Sequence, residues 1–163
     1  MKKSLFVVAL PLLLGTVACH KNAAVPAEAQ NTADVLTGDA AGSADSNPLC
    51  KLFTVDEIAT YEGAPVAAGK NAAMGTGCQW VHAQGEGSAM VQVVRKDDFS
   101  APDQAPGYKV VPGAGEQAFV VPQMGGWQAG AIQHEKAVMV MTGGSSSEAK
   151  AVDLLKEAMK RAH

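Results

Sequence analysis

From Cys78 to Thr142 the chain alternates short β-rich runs with clusters of turn residues, and this pacing restricts the fold more than any other feature. Cys78-Gln79-Trp80-Val81-His82 alternates large and polar side chains, and Met90-Val91-Gln92-Val93-Val94-Arg95 is rich in strand formers. Gln84-Gly85-Glu86-Gly87 between them is a turn cluster. The pattern predicts a hairpin with strands near 78–83 and 88–95. After a polar, Pro-rich stretch at 96–107, YKVVPGAGEQAFVV returns to β character. GGWQAGAIQHEKAVMVMTGG predicts a second hairpin, with strands near 127–133 and 137–142 and a turn around Glu135. Val138, Val140 and Thr142 share one face of the last strand, and Met139 and Met141 the other. A strand apolar on both faces belongs in the middle of a sheet or under a helix.

Helices bracket these strands. Thr54 and Glu57 have capping-box spacing, Val55, Ile58, Ala59 and Tyr61 form an apolar stripe, and Gly63 and Pro65 mark the end. At the other end SSSEAKAVDLLKEAMKRAH predicts a longer helix. Its cap is assigned to Ser145 with Glu148, its buried stripe to Ala151, Val152, Leu155, Ala158 and Met159, and Lys160 and Arg161 suit the negative end of its dipole. The order predicts an α+β domain: an antiparallel sheet with a short N-terminal and a longer C-terminal helix packed on one face.

The first residues belong to a different device. Lys2 and Lys3 precede an apolar run from Leu5 to Leu14, interrupted by Pro11, and Gly15, Thr16 and Ala18 follow. A spanning helix needs roughly 20 apolar residues, so residues 1–18 fit a secretory signal. Thr16-Val17-Ala18-Cys19 resembles the lipobox of bacterial lipoproteins, although Thr16 stands where that family usually has Leu. The resemblance implies cleavage before Cys19, a diacylglyceryl group on its thiol and an acylated amino terminus. The competing assignment is ordinary cleavage after Ala18, which leaves Cys19 a free thiol. Lys21 occupies the position where an inner-membrane retention signal has Asp, which implies an outer-membrane anchor facing the periplasm.

Residues 19–47 contain no aromatic side chain and are dominated by Ala, Asp, Asn, Thr, Ser and Gly. Such a stretch buries too little to offset its ordering entropy, which predicts a flexible tether reaching on the order of 30 Å. A short Ala-rich helix near 27–36 is the alternative. Residues 48–163 form the predicted domain. Removing the signal leaves eleven Lys and Arg against sixteen Asp and Glu, a net −5 with no basic stripe. Nucleic acid is thereby excluded as an expected partner.

Cys50 and Cys78 remain. In an exported domain a lone pair is most simply a disulfide, tying the residue before the first helix to the first hairpin. A rival assignment makes Cys50, Cys78 and His82 metal ligands, but no fourth ligand stands out.

Together, Cys50, the Thr54–Ile58 helix, Cys78-Gln79-Trp80 and the Gly113–Ala118 turn resemble a group of uncharacterised bacterial lipoprotein domains best known from actinobacteria. The resemblance covers residues 48–161. It implies a cystine-bridged envelope domain and no activity.

Catalytic signatures are sparse. Gly113-Ala114-Gly115-Glu116-Gln117-Ala118 matches G-x-G-x-x-A, but the dinucleotide fingerprint needs a helix afterwards, and Phe119-Val120-Val121-Pro122 predicts a strand. There is no G-x-S-x-G. His82 and His134 are assigned to the surface of strands, and Ser145 to Ser147 to capping. No cofactor and no catalytic residue are expected. Trp80 is assigned to the core beside the cystine. Met124 and Trp127, flanking Gly125-Gly126, are the binding candidates, with Trp127 as the first core residue of a strand as the alternative. The chain is thus expected to be a non-enzymatic binding domain held to the bilayer by its acylated cysteine, with a possible protein partner in the envelope. A periplasmic immunity or inhibitor protein against a secreted toxin, or a hydrolase with an unrecognised site, are the alternatives.

Overall fold

The computed structural model describes residues 47–162. The signal segment 1–18, the lipidation candidate Cys19 and the tether up to residue 46 lie outside the described residues.

Seven antiparallel strands form one open sheet: β1 Lys70–Ala72, β2 Gly77–Val81, β3 Ser88–Arg95, β4 Lys109–Val110, β5 Glu116–Gln123, β6 Gly126–Gln133 and β7 Lys136–Gly143. Their spatial order is β1-β2-β3-β7-β6-β5-β4. The two expected hairpins are β2–β3 and β6–β7. The apolar-both-ways segment is β7, the middle strand, as its composition requires. The edge strand β1 was not expected; β4 lies in YKVV, the start of the stretch read as β, although no separate strand was assigned there. The two edge strands are only three and two residues long, too short for a periodic signal, and they limit the unpaired backbone that the sheet presents at its sides.

Helix α1, Val55–Glu62, has the full capping box. Thr54 accepts from the Glu57 amide, and the Glu57 carboxylate accepts from the Thr54 amide. Gly63 closes it in the left-handed conformation (φ 72°). Helix α2, Glu148–Arg161, is capped two residues later than the expected Ser145–Glu148 box: Ser147 is the cap and accepts from the Lys150 amide. Ser146 is diverted, its hydroxyl donating to the Tyr61 carbonyl at 2.9 Å and pinning the start of α2 to the end of α1. The buried stripe of α2 is Ala151, Leu154, Leu155, Ala158 and Met159. Leu154 replaces Val152 in the expected set because it completes the i, i+3, i+4, i+7, i+8 stripe that starts at Ala151; Val152 lies beside that stripe and is half-buried.

One face of the sheet carries the core. Cross-strand rows such as Cys78–Val91–Val140–Ala129–Val120 and Val93–Val138–Ala131 point toward the helices. Ile58, Leu154 and Leu155 are fully buried against them. Each fully buried aliphatic side chain contributes about 1.5–3 kcal/mol. Cys50 and Cys78 form a disulfide with Cα atoms 5.1 Å apart, which removes both sulfurs from the rival metal assignment. Trp80 is buried beside it, edge-on to Phe53 at 6.4 Å between centroids. Asn47 is already built in. Its amide donates to the Gly77 carbonyl, and its side-chain oxygen accepts from the Leu49 amide.

Arg161 locks the far end. It donates to the Leu52 carbonyl (2.7 Å), Glu57 (2.9 Å) and Glu157 (2.8 Å), and its guanidinium lies 4.5 Å over the Phe53 ring. No helix among the described residues is long and apolar enough to cross a membrane.

Candidate functional site

Among the described residues, the opposite face of the sheet is covered at only one end. There Phe99 and Tyr108, from the Pro-rich stretch after β3, pack on Phe119 with centroids 6.0 and 5.8 Å apart. The stretch is therefore a partial lid over this face. Toward the β2–β3 and β5–β6 turns a groove of about 470 Å³ remains, lined among others by Gln79, Ser88, Met90, Met124 and Met141.

Register builds the floor of the groove. Gln79 on β2 pairs with Met90 on β3, Met90 with Met141 on β7, and Met141 with Gln128 on β6. The row is thus two thioethers flanked by two amides. Both amides are engaged: Gln79 Nε2 donates to Ser88 Oγ at 3.0 Å, and Gln128 Oε1 accepts from Gln123 Nε2. Directly opposite residues on antiparallel strands have Cβ atoms about 4.5–5.5 Å apart, so Met90 and Met141 are side-chain neighbours. Glu86 is the one charged side chain among the lining residues.

Met124 and Trp127, the candidates from sequence, both line this groove, in different ways. Met124 sits in the two-residue turn between β5 and β6 and is fully exposed. Gly125 takes φ 75° there, the left-handed conformation that a type II turn requires of its third residue. Trp127 pairs with Thr142, on the core-facing side, and is half-buried against the core. Its position is that of the alternative, the first core residue of a strand.

Behind the groove lies a pair that sequence reasoning missed. Nε2 of His82 and Oε2 of Glu62 share a 2.7 Å hydrogen bond, and both side chains are buried. The Gly143 amide donates to the same carboxylate at 3.2 Å. Burial pushes the Glu62 carboxyl above its ordinary range, against the downward pull of His82 and Gly143. His82 therefore does not occupy the strand surface expected of it. It follows the last residue of β2, where an isolated bridge to Val66 holds its backbone. Its ring packs so closely against Gly87 and Gly144 that a Cβ on either would lie 2.6 or 2.4 Å from Cε1. His134 is not on a strand surface either. It occupies the β6–β7 turn at φ 56°. The one signal for the buried pair is spacing: Glu62 lies four residues after Ile58, on the inward stripe, immediately before the capping glycine.

The Gly113–Ala118 motif leads into β5, not a helix, with a register shift between Glu116 and Phe119. It cannot present a helix N-terminus to a pyrophosphate. Thr142 Oγ1 and the side-chain amide of Asn71 are buried without hydrogen-bond partners. Among the described residues no three of His, Cys, Asp and Glu converge as a metal site.

Comparison with protein-family models, with curated proteins and with solved structures gives no match.

Proposed function

We propose that this chain is a lipid-anchored protein of the bacterial cell envelope, seated in the outer membrane and facing the periplasm, whose folded domain binds a ligand and performs no covalent chemistry. The anchor is supported by the short apolar run and by Cys19 after Thr16-Val17-Ala18. Two or three acyl chains on one residue make release from a bilayer very slow, because each buried methylene adds about 0.8 kcal/mol. Export is supported by the Cys50–Cys78 disulfide, a bond that persists in oxidising compartments. The resemblance to uncharacterised lipoprotein domains belongs to the same reading.

The observation that carries the binding reading is the half-covered sheet face. Phe99 and Tyr108 shield one end, and the other is a groove with a thioether floor and an exposed methionine at its rim. A concave, mostly apolar site with a few placed polar groups is the usual form of a ligand site.

A hydrolase reading would draw on Glu62 and His82. Both are buried, two glycines press on the imidazole, and among the described residues no hydroxyl or thiol hydrogen-bonds to it. The pair fits a structural tie between α1, β2 and β7.

Peroxide footprinting tests the binding reading. Intact envelopes and purified chain receive the same dose, and methionine oxidation is mapped by peptide mass. Met90, Met124 and Met141 are expected to be protected in the envelope relative to the purified chain. Met74, exposed elsewhere, should oxidise equally in both. Equal oxidation of all four in both samples would overturn the reading.

A further inference from the structure

The groove has a chemical signature that narrows its ligand. Of the seven methionines in the chain, Met90, Met139 and Met141 lie on one face of two adjacent strands, and Met124 stands at the rim of the same groove. Met90 and Met141 are directly paired across β3 and β7. Met139, two residues along, pairs with Gln92 and Gly130 beside the Phe99–Phe119 cluster. All three are partly buried, so their sulfurs are held in a sheltered place without being sealed in.

Resting on the reading of this groove as a binding site, we propose that Met90 and Met141, with Met124 closing from the turn, form a site for a soft monovalent metal ion, copper(I) in the cell. Thioether sulfur is a neutral, polarisable donor that selects copper(I) over harder ions. Two sulfurs bridging one ion at bonds of roughly 2.3 Å sit under 5 Å apart. Directly opposed side chains in an antiparallel pair meet that span without moving the backbone. Oxygen donors are sparse on the floor: Gln128 Oε1 accepts from Gln123 and Gln79 Nε2 donates to Ser88, which leaves the Gln79 carbonyl oxygen and the single carboxylate of Glu86, short of the roughly six to eight oxygens that calcium takes. Glu86, the one lining charge, is negative and favours a cation over an anion. Met124 is unbranched and fully exposed on a two-residue turn, free to swing its sulfur over the floor as a third ligand. Binding is pure coordination: no electron is transferred and no proton is released, since a thioether carries none.

The test uses the full mature chain in detergent, its methionine methyls carbon-13 labelled, titrated with silver(I) as a redox-inert stand-in. Copper(I) affinity is then measured by competition with a chromogenic chelator. One equivalent of silver(I) is expected to shift the methyl signals of Met90, Met141 and Met124 and to leave Met74 and Met159 in place. The double variant Met90→Leu/Met141→Leu keeps the volume and apolarity of the floor, so it should stay folded by circular dichroism. It should bind copper(I) about a hundredfold more weakly or less. Absence of shifts at one equivalent, or unchanged affinity in the folded double variant, would overturn the proposal. If these fail while the footprint in envelopes persists, the groove binds something other than a metal. If the footprint is also absent, the groove is not a binding site.

Discussion

Glu62 and His82, twenty residues apart and on different elements, meet in a 2.7 Å hydrogen bond that neither shares with solvent. With the Gly143 amide on the same carboxylate, the bond joins the C-terminus of α1 to the ends of β2 and β7. The helix has only eight residues, and Ile58 and Glu62 are the two that it buries. Replacing His82 by Ala leaves a buried carboxyl without its main partner and should cost about 2–4 kcal/mol, measured by urea unfolding.

The pair also sets a pH dependence. Burial holds the Glu62 carboxyl above its ordinary 4.5. An acid with a raised folded-state value favours folding while protonated. That contribution is complete below pH 4.5 and is lost as the pH rises through the raised value. Glu62→Gln is neutral throughout and keeps an acceptor for Gly143. The stability of wild type relative to Glu62→Gln should therefore fall as pH climbs from 4.5 and then level off. A difference that grows with pH would show that the charged carboxylate is the favoured form.

Gly144 and the His82 ring occupy one space. Gly144→Ala places a methyl 2.4 Å from Cε1 at a backbone φ of 59°. A loss of about 2–4 kcal/mol is expected from the clash and the left-handed backbone together. In a His82→Ala background the steric part disappears, giving a coupling of about 1 kcal/mol or more in a double-mutant cycle. Additive losses would mean that the strain is purely backbone.

Arg161 holds the opposite end of the helical layer. Its hydrogen bond lowers the Glu57 carboxyl to about 2. A depressed carboxyl contributes stability above its ordinary 4.5 and loses it as pH falls toward about 2. Arg161→Ala should destabilise by about 1–2 kcal/mol at neutral pH, through the lost Leu52 hydrogen bond and the Phe53 contact. It should also flatten the acid limb of the stability profile. Arg161→Lys should recover only part, because one ammonium cannot reach three acceptors in a fixed fork.

The disulfide closes a loop between residues 28 apart. Replacing Cys50 and Cys78 together by Ala should cost roughly 3–4 kcal/mol, with a steeper denaturant dependence as the unfolded chain expands. A loss under about 1 kcal/mol would mean that packing of Trp80 and Phe53 alone orders the segment before α1.

Much of this architecture can be traced to local signals. The capping box at Thr54–Glu57, the glycine clusters flanking β2, β3, β6 and β7, and the stripe on α2 are each set within a few residues. The edge strand β1 was not legible and β4 was legible only as β character, because two or three residues cannot display a period. Ser147 displaced Ser145 as cap because Ser146 is drawn to Tyr61, a contact 85 residues away that no local rule contains. The Glu62–His82 pair was hidden for the same reason. A polar side chain on an inward stripe looks like an error in the pattern until its partner arrives from another element. The methionine floor was half visible: β7 announced Met139 and Met141 on one face, but only the β3–β7 register shows that Met90 stands opposite.

The most direct measurement is the intact mass of the chain recovered from native envelopes, taken before and after reduction. The anchored binding domain proposed above predicts a first residue of Cys19 carrying diacylglyceryl and amide-linked acyl mass, with Cys50 and Cys78 alkylated only after reduction. A product without acyl mass, carrying a free thiol at residue 19, would contradict it.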